Sequence, residues 1–236
     1  MLLIFKRELR SYLYTPDMYI FLFVYLTLSS IFFIIGNLAA RSSNILSLLS
    51  NMSYLWMLLT PVLTMRLLST RITDGDQLLF GSSISLSNIV ISKYLSAFCI
   101  LLAAIIISFG YPILIAVYGT LFLPETLAGY TGFLLLGGSF LALDLFAAAL
   151  SSTPTIAFVA GFGLNLFAWM AELFSQAINS PTISSTLSYI SLYRRLSPFL
   201  SGRIALGDII FDITFIGLML FFSVRVLEFK RWKVGL

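Results

Sequence analysis

Runs of about twenty consecutive apolar residues recur along this chain, and they leave it few folds to choose from. Hydrophobic residues make up 59% of the 236 and charged residues only 10%, with a mean hydropathy of +1.01. A soluble globular chain is about a quarter charged, so a water-soluble fold of this size has no means of covering the apolar surface. The solvent must be lipid. In lipid only helices and closed barrels satisfy the backbone. Barrel strands alternate polar and apolar residues over short segments, whereas these runs are continuous. The expected fold is all-α: six transmembrane helices, with an N-terminal amphipathic interfacial helix and a short-helical outer segment between spans 5 and 6.

Residues 1–15, MLLIFKRELRSYLYT, put Leu2, Phe5, Leu9, Tyr12 and Leu13 on one helical face. Arg7 and Arg10 lie opposite, with Lys6 at the border. Two readings stand: a helix lying in the membrane interface, which we favour, or a cytoplasmic extension of the first span. Pro16 separates it from the bilayer segment. The spans are expected at about 18–39, 52–68, 91–118, 127–151, 154–174 and 208–227, with Pro61 kinking the second and Pro154 starting the fifth. Gly129, Gly132, Gly137 and Gly138 in the fourth suit close helix approach. Residues 175–207 carry three arginines that run against the charge rule. They either form an outer segment of short helices, which we favour because TISSTLSYISLYRRLSPFL is too polar to span, or conceal a miscounted span. The whole is one transmembrane domain.

Six spans place both termini on one side with the loops after spans 2 and 4. That side holds ten of the 14 Lys and Arg residues, including Lys6, Arg7, Arg10, Arg66, Arg71 and Lys93. Arg41, Arg194, Arg195 and Arg203 fall on the other. The richer side faces the cytoplasm, so both termini and the loop at 69–90 are expected there. No basic stripe suggests nucleic acid.

The chain contains no histidine, which removes His-based acid–base chemistry and His metal ligands. No Walker A pattern occurs, and no cleavable signal peptide is legible at the N-terminus. Cys99, the single cysteine, reads as an apolar filler. We expect no enzyme. Asp144, near mid-span in SFLALDLFAAAL, is a functional candidate because an ionisable group inside a span is costly. Five roles stand open: cation binding, proton relay, pairing with an arginine such as Arg66, a structural polar contact between helices, or a protonated carboxyl bonded to a neighbour's backbone. Asp208 and Asp212 open the sixth span and suit its positive helix end.

A long polar interruption, Met65–Tyr94, contains Asp74-Gly-Asp-Gln-Leu-Leu-Phe80. Asp74 and Asp76 fit the start of a short helix, and Leu78, Leu79 and Phe80 give it apolar side chains. They either dock into another protein's groove or fold back onto the interface.

Four segments in order carry a family resemblance: FKRELRSYLYTPDMYIF, TPVLTMRLLSTRITDGDQLLFGSSISLSNIVISKYLSAF, LSPFLSGRIALGDIIFDI and VRVLEFKRW. Together they resemble the permease subunit of ABC transporters of the second, export-associated type, in the branch related to gliding-motility permeases. The resemblance implies two permeases paired around a pathway in the cell membrane. Each would seat one cytoplasmic ATPase, which holds ATP and Mg, while the permease binds no cofactor. It carries coupling onto Asp74, Gly75, Asp76, Gln77, Leu78 and Leu79, and more weakly onto Lys6, Arg7, Glu8 and Arg10. Gly75 stands where the family often has Thr, Ser83 where it usually has Pro, and Asp144 where a small residue is expected. Pro154 and Thr155 replace a more usual Asn-Gln turn. The competing expectation is an ATP-independent membrane carrier or scaffold using Asp144.

Overall fold

A computed structural model describes residues 2–68, 85–177, 189 and 191–234. Among them every regular element is helical. Six helices are long and apolar enough to cross a membrane, and the chain is a multi-pass, all-α membrane protein.

Helix α1 (Leu2–Tyr14) ends where the Thr15 hydroxyl bonds back to the carbonyls of Ser11 and Tyr12. Pro16 then opens α2 (Pro16–Phe33), because a helix's first turn needs no N–H from that residue. Of the expected apolar face of α1, Tyr12 is buried but Leu13 is exposed, so the packed stripe is narrower than the wheel suggests. Helix α2 runs on through a π-helical turn at Ile34–Ala39. There Asn37 Nδ2 donates to the carbonyls of Ser42 and Asn44, at 2.9 and 3.1 Å, and fixes the reversal.

Helix α3 covers Ile45–Thr64 and therefore starts earlier than 52. The reason is local: Asn44 caps it, its side chain accepting from Leu46 N and Ser47 N at 3.0 and 3.1 Å. Helix α4 (Leu86–Ser108) passes into α5 (Gly110–Tyr118) through a break at Phe109. Helices α6 (Leu123–Leu150) and α7 (Pro154–Ala177) follow, the latter starting at the expected proline. A nine-residue helix α8 (Leu192–Leu200) lies in the polar segment, and α9 (Leu206–Val234) continues without interruption into the C-terminal basic tail.

The core is built around α6, which packs against α3, α4, α7, α8 and α9. Of its most apolar stretch 78% is buried, against 22% for α2 and 11% for α9, which makes α6 the axis and those two the periphery. Small residues permit this. A Cβ at Gly132 would collide with the Phe199 ring of α8, and one at Gly137 with Leu101 of α4. A buried aromatic column ties three spans together: Tyr25 of α2 stacks on Trp56 of α3 at 4.7 Å, and Trp56 meets Phe133 of α6 at 4.8 Å.

Arg195 of α8 pairs with Asp208 of α9 at 2.7 Å. Its guanidinium lies 4.4 Å from the Tyr189 ring and 4.3 Å from that of Phe211. Asp208 does sit in the first turn of α9, but its carboxylate serves this arginine. Asp212 turns inward and accepts from Ser139 of α6 at 3.2 Å, so a helix-dipole role does not describe it.

Candidate functional site

Two polar clusters stand out from the apolar bundle, and both are organised by α3. The first lies where α3 runs out toward residue 69. A helix end leaves its last carbonyls without intrahelical donors, and here other elements supply them. Tyr12 of α1 donates from its hydroxyl to the Leu63 carbonyl at 2.7 Å. Lys93 of α4 is buried, and its Nζ donates to the Leu67 carbonyl at 2.5 Å. Arg66 forms an ion pair with Asp17, in the first turn of α2, at 3.1 Å. Burial pushes the Tyr12 hydroxyl well above its ordinary pKa, and the nearby Glu8 and then Asp17 carboxylates add to the effect. It is held as a neutral donor.

The far side of the same polar stretch begins again at Ser85, and α4 rises from it. Lys93 therefore fastens the two flanks of residues 69–84 to each other. The coupling candidates Asp74, Gly75, Asp76, Gln77, Leu78 and Leu79 lie outside the described residues, as does Arg71. The α1 candidates are in view: Lys6, Arg7 and Arg10 are exposed, and Arg7 pairs with its neighbour Glu8 at 3.0 Å. Helix α1 itself packs along α4 and against α2.

The second cluster lies at the crossing of α3, α6 and α7. Pro61 has no N–H, so the carbonyl of Met57, four residues earlier, loses its helical donor. Asn165 of α7 reaches across to it: its Nδ2 lies 3.4 Å from Met57 O and 3.3 Å from Thr60 Oγ1. The same nitrogen donates to Asp144 Oδ1 of α6 at 2.9 Å. The Thr60 hydroxyl itself donates to the Trp56 carbonyl at 2.8 Å. Gly161 makes the approach possible, since a Cβ there would collide with Asp144 Oδ1. Asp144, Asn165 and Thr60 are all essentially inaccessible.

A parallel arrangement occurs at the break in the third span. Pro112 frees the Ser108 carbonyl, and the Tyr130 hydroxyl of α6 donates to it at 2.8 Å. Both carbonyls freed by a proline are thus met by a side chain from a neighbouring span.

The partners of the two intramembrane candidates are now clear. Arg66 pairs with Asp17, and Asp144 takes Asn165, a neutral amide. Sequence reasoning passed over Asn165, Thr60, Tyr12 and Asp17, and it gave Lys93 no role beyond its charge. A signal for Asn165 existed: it is the one amide in an otherwise apolar span, GFGLNLFAW. Among the described residues no group of three or more Cys, Asp or Glu is placed to hold a metal ion.

No protein-family model matches the chain, and no curated protein matches it.

Proposed function

We propose that this chain is the membrane-spanning permease subunit of an ATP-driven ABC exporter, coupled to a separate cytoplasmic ATPase through the loop after its second span. The observation that carries this reading is the fastening of that loop's flanks. Tyr12, Asp17 and Lys93 bind the exit of α3 to α1, α2 and α4, so a pull on residues 69–84 reaches three other helices at once.

In this reading Asp74–Leu79 seat the ATPase, whose ATP and Mg supply the work, and the exposed basic face of α1 flanks the contact. A second permease, identical or similar, completes the pathway, and both termini lie in the cytoplasm. The six-span architecture suits a transport protein. The resemblance of the four sequence segments supplies the ABC assignment.

Copurification tests it. The tagged chain, isolated from its native membrane, should bring down a Walker A ATPase, and Leu78→Glu with Leu79→Glu should abolish the association while the permease still folds. Absence of any such ATPase, or an association indifferent to both substitutions, removes the reading. The second reading, an ATP-independent carrier, is favoured by one observation, the buried carboxyl of Asp144.

A further inference from the structure

The carboxyl of Asp144 has two unequal oxygens. Oδ1 accepts from Asn165 Nδ2 at 2.9 Å, whereas Oδ2 is fully buried with no hydrogen-bond partner. Asn165 shows the complementary asymmetry. Its Nδ2 has three acceptors in reach, at Asp144, Thr60 and Met57, while its Oδ1 is buried with no donor. Two orphaned acceptors therefore sit on two side chains already joined by one bond.

A single hydrogen answers both. Placed on Asp144 Oδ2, it makes the carboxyl neutral and gives Asn165 Oδ1 its donor, closing a reciprocal acid–amide pair. The ionised alternative leaves both oxygens unpaired and a full charge out of water, which is costly without a counter-ion. The groups facing the carboxyl are neutral: Thr60 and Pro61 from α3, Asn165 and Gly161 from α7. Six of the described cations are engaged elsewhere. Arg7, Arg66, Arg195 and Arg225 pair with other carboxylates, and Lys93 and Lys230 donate to backbone carbonyls.

We propose that Asp144 is a proton-binding site at the crossing of α3, α6 and α7, occupied in this conformation, with its Oδ2–H donating to Asn165 Oδ1. The site is a latch. The proton leaves only when these helices part enough for water to stabilise the carboxylate, and its departure breaks the pair that ties α6 to α7. Through Asn165 and Met57 the latch also reaches the kink of α3. None of this depends on whether an ATPase drives the chain.

Infrared spectroscopy of the full chain in lipid nanodiscs tests the proposal. The wild-type minus Asp144→Asn difference spectrum at neutral pH should show the C=O band of a protonated carboxylic acid. Asn165→Leu should shift that band upward, because the acid loses its hydrogen-bond acceptor. Carboxylate bands in its place, or an acid band indifferent to Asn165→Leu, would overturn it. Thermal denaturation gives a second readout. Asp144→Asn reproduces the shape of the neutral acid and offers Asn165 Oδ1 an N–H, so its midpoint should stay near wild type. Sodium or potassium chloride that stabilises wild type but not Asp144→Asn would mark a metal-cation site and sink the proposal. Should Asp144→Asn fail to fold, the acid band of wild type and its shift in Asn165→Leu decide the question.

Discussion

Asn165 Nδ2 stands 3.4 Å from the carbonyl of Met57, the acceptor that Pro61 leaves without a backbone donor. The amide of one span completes the hydrogen bonding of another at its bend. In hydrocarbon, where no water can substitute, an unmet carbonyl is expensive, so the contact does structural work beyond packing.

This makes Asn165 and Pro61 energetically coupled. Asn165→Ala should destabilise the wild-type chain by about 2 kcal/mol, since it orphans buried polar groups. In a Pro61→Ala background, where α3 regains its own donor, the same substitution should cost less by about 1 kcal/mol. A double-mutant cycle of unfolding in bicelles measures the difference. Strict additivity would mean that Asn165 does not serve the Met57 carbonyl.

The neighbouring glycines provide a steric comparison. Gly161→Ala would push a methyl group into Asp144 Oδ1 and should cost about 1–3 kcal/mol, the usual penalty of overpacking. Gly163 has open space where its Cβ would go, and Gly163→Ala should be neutral or slightly stabilising. Thermal denaturation of the two variants side by side checks the contrast.

At the exit of α3, Tyr12→Phe removes the donor to Leu63 O and should cost about 1 kcal/mol. The pH dependence has a definite sign. Burial raises the Tyr12 pKa in the folded state above its ordinary 10.0, so the folded chain holds this proton more tightly than the unfolded one. The resulting stability is complete below pH 10 and falls as pH climbs beyond it. Denaturation midpoints measured on the alkaline side should fall less steeply in Tyr12→Phe than in wild type, and the two slopes should match near neutrality.

The Arg195–Asp208 pair should behave as a partly buried ion pair. Arg195→Leu alone leaves Asp208 without its partner and should cost roughly 2–3 kcal/mol. Replacing both by leucine should recover part of that loss. Arg195→Lys keeps the charge but gives up the flat guanidinium between Tyr189 and Phe211, and should fall between wild type and Arg195→Leu. Chemical denaturation of the four proteins provides the order.

The helical class was legible because a bilayer imposes one length and one composition on whatever crosses it. Pro154 as a helix start and the close approach at Gly132 and Gly137 were legible too, each resting on a local property of one residue. The start of α3 was not. Ser47, Ser50 and Asn51 made the segment read as loop, although Asn44 caps a helix there. The carboxyl partner of Asp144 was missed for a different reason. Sequence places charges along a line, and charge complementarity pointed to Arg66, whereas the fold meets the acid with a neutral amide from the next span. The rule that would have found it is simple: look four residues before a proline for the freed carbonyl, then for a lone polar side chain elsewhere that could fill it.

The centrality of α6 sets the order in which the molecule can be finished. It is the fourth of the six described spans in chain order, so α2, α3 and the α4–α5 pair emerge before it. Insertion of a span needs only its own apolar length, while its packing waits for partners. Trp56 already has Tyr25 of α2 to stack on, while Leu101 and the Pro112 bend wait for α6. Their permanent neighbours arrive with residues 123–150. The contacts of α1 with α4 and of α2 with α3 can form before α6 emerges, but the bundle closes only around it.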